Sequence, residues 1–169
     1  MTAVEPARRS PTLSFLPKPL LEPRSPLRAV VVGWLTAFLP SLLLSYLVSL
    51  LPSDVARPSF DPQAPNLFFL IVVFAPVVET LIMAAVLSVL LRLVPPAAAI
   101  VLSSLGWGIA HSLMAAAWGL VIWWPFLVFS TLYVTWRQRS LLLALAIPAA
   151  THALHNLLPS LPLLLGISG

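Results

Sequence analysis

The chain has 169 residues, of which 60% are hydrophobic and only 8% charged, with a mean hydropathy of +1.01. Soluble domains carry roughly 25% charged residues, so this balance excludes a soluble globular domain and describes an integral membrane protein. The net charge of +4 comes from basic residues scattered around the ends of apolar runs rather than gathered in a stripe, which excludes a nucleic-acid surface, and the absence of cysteine excludes disulfides and thiolate chemistry.

The apolar runs are long and show no strand-like alternation, so helices are the spanning elements. Residues 1–27 are rich in proline, carry Arg8, Arg9, Lys18 and Arg24, and read as a disordered cytoplasmic tail. Ala29 to Leu51 is longer than the apolar core of a signal peptide and forms a first membrane helix, with Pro40 placed to kink it. A polar loop, Pro52 to Asn66, carries Asp54, Arg57 and Asp61. The second span, Leu67 to Leu93, ends where Arg92 meets Pro95 and Pro96, a pair that forbids helix continuation; Arg92 reads as a snorkelling anchor.

A third helix is predicted over Ala97 to Ala117 and a fourth over Leu120 to Trp136, whose aromatics Trp123, Trp124, Tyr133 and Trp136 read as interface belts or packing. Arg137 and Arg139 close the fourth helix, and Leu141 to Leu158 forms the fifth. The remainder, Pro159 to Gly169, is too short to span unless it tilts or re-enters. The expected fold is therefore an all-α, multi-pass bundle of about five to six transmembrane helices over residues 28–169, enclosing a polar cavity. The positive-inside rule puts Arg28, Arg92, Arg137 and Arg139 on the cytoplasmic side with the N-terminus and leaves Arg57 outside.

Glu79 stands in the middle of the second span, and no other acid follows Asp61. A charge at the centre of a bilayer costs about 2.5–3.5 kcal/mol on insertion scales, so such a residue faces a protein interior and finds partners. Counted from the basic ends of their helices, Glu79 is 14 residues from Leu93, His111 is 14 from Ala97 and His152 is 11 from Leu141. At ~1.5 Å per residue all three lie ~17–21 Å deep, and they can meet. Asn156 shares a helix face with His152, and Trp107 stands one turn from His111, able to wall or stack on its ring. A buried glutamate beside a histidine can take a proton from water, and a second histidine with an asparagine amide offers donors to an oxyanion. Singly, each imidazole also reads as a neutral group hydrogen-bonded across helices. Glu79, His111 and His152 also match a two-histidine, one-carboxylate zinc set, although H-E-x-x-H is absent.

Ala75-Pro76-Val77-Val78-Glu79, Trp107-Gly-Ile-Ala-His111 and His152-Ala153-Leu154-His155-Asn156 resemble, in order and spacing, the CPBP family of intramembrane proteases, which includes the type II CAAX prenyl endopeptidases and Abi-type proteins. The resemblance covers roughly residues 66–158. It implies that Glu79 and His111 activate water and that His152 and Asn156 stabilise the oxyanion. Trp107 and His155 are further candidates, for substrate contact, and no cofactor is expected. The expected substrate is a peptide bond near the C-terminus of a membrane-associated or exported protein. The family's second glutamate and its arginine are replaced by Thr80 and Ala84, a joint loss that removes an ion pair without orphaning a charge. The same replacements suit an inactive relative that binds in the membrane, as an immunity protein does.

Overall fold

The structure, a computed structural model, describes residues 13–61 and 64–165. Its described residues are helical and contain no strand: α1 (Lys18–Leu21), α2 (Pro26–Ser49), α3 (Leu67–Phe69), a π-helical turn (Leu70–Phe74), α4 (Ala75–Leu93), α5 (Pro96–Ser112), α6 (Gly119–Trp136) and α7 (Leu141–Leu164). The boundaries follow local chemistry. Ser25 and Ser140 cap α2 and α7 by accepting from the Arg28 and Leu143 amides. Val94, just before Pro95, is extended and stops α4, while Pro96 occupies the first turn of α5.

Helix α6 is the axis of the bundle. It packs against α1, α2, α4, α5 and α7, and every residue from Pro125 to Trp136 is buried. A helix apolar on all faces needs neighbours or lipid on all faces, and here the neighbours take them. Trp136 is fully buried and Trp124 donates its indole N–H to the Thr36 carbonyl at 2.8 Å, so both serve packing within the bundle. The crossing of α5 and α6 depends on Gly108 and Gly119: a methyl group on Gly119 would fall on the Gly108 carbonyl and the Ser112 hydroxyl.

Four segments have the length and apolarity to cross a membrane: Pro26–Ser49, Leu67–Leu93, Gly119–Trp136 and Leu141–Leu163. The fifth long helix, α5, has 17 residues and rises ~25 Å, short of a ~30 Å hydrocarbon core. It stops at Ser112 instead of reaching Ala117, because the chain turns there: the Met114 and Ala115 amides both bond to the His111 carbonyl. In the other direction, α7 runs past the expected end at Leu158 to Leu164, carrying Pro148, Pro159 and Pro162 inside it. Proline is tolerated in membrane helices where neighbours re-satisfy the backbone it frees. The short remainder expected from Pro159 is thus mainly a continuation of the fifth helix; residues 166–169 lie outside those described.

The tail expected to be disordered over residues 1–27 is ordered where it is described. Leu16 and Leu20 are buried in the core, Thr135 donates to the Leu20 carbonyl at 2.8 Å, and Arg139 donates to the Pro23 carbonyl at 2.9 Å. Proline-rich composition masked leucines that find a flank of α6 to bury against. Residues 1–12 lie outside those described.

Candidate active site

Proline chemistry places the acid. An ordinary helix would set the Pro76 ring against the Val72 carbonyl, and the π turn before it relieves that contact. Within the turn the Ala75 amide bonds to the Leu70 carbonyl, five residues back. The next residue in that pattern is Pro76, which has no N–H, so the Ile71 carbonyl loses its partner along the helix. Asn156 of α7 replaces it, donating from Nδ2 at 3.0 Å. This bond fixes the start of α4, and with it Glu79 one turn further on, against the histidine-bearing face of α7.

Glu79, His111, His152, His155 and Asn156 line one cavity of about 300 Å³. Four residues singled out in the sequence as a catalytic set, carried on α4, α5 and α7, are therefore brought together with His155. Glu79 Oε2 lies 3.8 Å from His152 Nε2, and its side chain is 24% exposed, whereas His152 is buried. The imidazole nearest the acid is thus that of His152, and His111, expected from the sequence to help Glu79 activate water, lines the same cavity.

His111 sits in the last turn of α5, with Nδ1 2.9 Å from the Trp107 carbonyl. A carbonyl only accepts, so Nδ1 carries the proton and Nε2 of the neutral ring keeps its lone pair. Trp107 does not line the cavity. It holds His111 through its backbone and stacks on Phe126 at 4.3 Å between centroids, so its place is behind the imidazole. Trp118 meets His111 edge-on at 4.7 Å, and Phe129 stacks on His152 at 4.7 Å. These aromatics of the α5–α6 turn and α6 were not singled out from the sequence, although the i,i+3 spacing of Phe126 and Phe129 was a usable signal. His155 packs edge-on against Phe38 of α2, and the Nδ1 atoms of His152 and His155 are buried without a protein hydrogen-bond partner.

Thr80 and Ala84, at the positions where the resemblance calls for glutamate and arginine, are both buried. Small neutral side chains occupy that interior, so no charge is stranded there. Among the described residues no three or more of His, Cys, Asp and Glu are grouped so as to hold a metal ion.

Phe60, from the connection between α2 and α3, also lines the cavity and meets Trp118 edge-on at 5.8 Å. The Ala117 amide bonds to the Ala56 carbonyl at 3.0 Å, tying that connection to the α5–α6 turn.

A family model described as type II CAAX prenyl endopeptidase, Rce1-like, matches residues 61–158, well over half of the 169-residue chain and enclosing Glu79, His111, His152 and Asn156. No curated protein and no solved structure matches.

Proposed function

The chain belongs to the Rce1-like family of type II CAAX prenyl endopeptidases, a branch of the CPBP intramembrane proteases, and from that premise we propose that it hydrolyses a peptide bond near the C-terminus of a membrane-associated or exported protein, using Glu79 as the base. What carries this reading is the meeting of one carboxylate, two imidazoles and an amide from three helices in a single cavity, with Glu79 3.8 Å from His152. Water between Glu79 and His111 Nε2 gives up a proton to the carboxylate, and the hydroxide attacks the scissile carbonyl carbon. His152 and the N–H of Asn156 not used by Ile71 donate to the resulting oxyanion, an interaction worth about 2.7–4 kcal/mol per donor in other enzymes. Collapse of the intermediate breaks the C–N bond, and the proton held by Glu79 passes to the leaving amine.

Orientation is part of the proposal. The end bearing Arg92, Arg137 and Arg139 faces the cytoplasm with the N-terminus, and the cavity, bordered by Phe60, lies toward the other side, favouring substrates that arrive from there.

The test uses purified protein in lipid nanodiscs with fluorogenic apolar peptides, prenylated and unprenylated. Glu79→Gln is expected to lower kcat by about 10²–10⁴-fold, the usual worth of a general base, and His152→Ala to lower it comparably. Cleavage unchanged in both variants overturns the assignment. An intact, peptide-binding wild type with no cleavage supports the second reading, an inactive relative, which the neutral Thr80 and Ala84 favour.

A further inference from the structure

A second cavity, of about 340 Å³, adjoins the first. Its walls come from Ser45 and Ser49 of α2, Arg57 and Pro58 of the following connection, and Trp118 and Ile122 at the start of α6. Trp118 and Ile122 line the Glu79 cavity as well, so the two hollows share a wall of two apolar side chains. An extended peptide laid across Trp118 would reach into both.

Arg57 is the feature that gives the second hollow a chemistry. Every other Lys or Arg precedes Ala29 or sits at Arg92, Arg137 or Arg139; Arg57 alone belongs to the connection on this side of the bundle. Its guanidinium donates one N–H to the Leu51 carbonyl at 3.0 Å, which steadies the side chain without neutralising it. The remaining donors suit a carboxylate, which a planar guanidinium grips through two parallel hydrogen bonds. The acids of the same connection, Asp54 and Asp61, do not line this cavity.

Resting on the endopeptidase reading above, we infer that Arg57 binds the free C-terminal carboxylate of the substrate, holding the end of the chain on one side of Trp118 while the scissile carbonyl lies on the other, beside Glu79 and His152. The apolar wall takes the side chains between.

The test compares two fluorophore-labelled, N-terminally acylated apolar peptides identical except for a free C-terminal carboxylate or a C-terminal amide. Binding is measured to the Glu79→Gln protein in nanodiscs, so the readout does not need catalysis, and cleavage is measured in parallel on the active protein. The carboxylate peptide is expected to bind at least tenfold more tightly than the amide. Adding Arg57→Gln, which keeps an N–H for Leu51 but no charge, should bring the ratio to about one while leaving affinity for the amide peptide unchanged. Arg57→Lys should restore part of the preference. Equal binding of the two peptides, binding of neither, or a preference that survives Arg57→Gln overturns the inference. Arg57-dependent binding without cleavage by wild type would instead overturn the endopeptidase reading and leave the carboxylate site standing.

Discussion

Asn156 has two demands on one amide group. Its Nδ2 satisfies the Ile71 carbonyl at 3.0 Å, and it borders the cavity where an oxyanion would form. Removing it leaves a carbonyl inside the bundle without a donor, which costs about 1–3 kcal/mol. Asn156→Ala is therefore expected to lower thermal stability in detergent as well as activity, whereas His152→Ala, whose Nδ1 makes no protein hydrogen bond, should lower activity with a smaller effect on stability. An Asn156→Ala protein as stable as wild type would show that the Ile71 bond is unimportant. The identity of the polar set was legible in the sequence because each member is costly in lipid. Which of them come nearest one another was not, because that depends on how α4, α5 and α7 pack.

At the level of the helix, proline explains two of the contacts that hold the bundle together. Pro40 has no N–H, so the Thr36 carbonyl four residues before it is freed, and Trp124 of α6 donates to it at 2.8 Å. Pro76 does the same to Ile71 for Asn156. Each interruption in one helix thus becomes an attachment point for another. This reading makes a coupling testable by a double-mutant cycle: Trp124→Phe should cost about 1–3 kcal/mol in the native background and clearly less alongside Pro40→Ala, where the new amide serves Thr36. Additive effects would mean that Trp124 contributes only packing. From the sequence Pro40 is visible as a kink, but the donor that answers it lies 88 positions away and is reached only when α2 and α6 are side by side.

Over the whole molecule, α6 is enclosed from Pro125 to Trp136 while the surrounding helices present leucine and valine outward, as a bilayer requires. The lack of cysteine makes the proposed orientation directly measurable. With Ser53→Cys or Gln138→Cys as the sole thiol, a membrane-impermeant maleimide added to intact cells should label position 53, and position 138 only after permeabilisation; the reverse pattern would invert the topology. Metal dependence is open to a similar global test. On the proposal that Glu79 is the base, a strong chelator is expected to leave peptide cleavage unchanged, and loss of activity restored by zinc would favour the zinc alternative.

The sequence by itself determined the membrane class, the helical segments to within a few residues at most ends, and the short set of polar side chains that lipid would not tolerate without partners. Those features follow from local composition and from the price of burying charge. Only the tertiary structure decided that Glu79 faces His152, that Trp107 stands behind His111 instead of at the cavity, that α7 continues through its prolines, and that Leu16 and Leu20 anchor a segment whose composition reads as unstructured. Each of these depends on a neighbouring helix supplying a hydrogen bond or an apolar surface, and such a neighbour is defined by distance in space and not by separation along the chain.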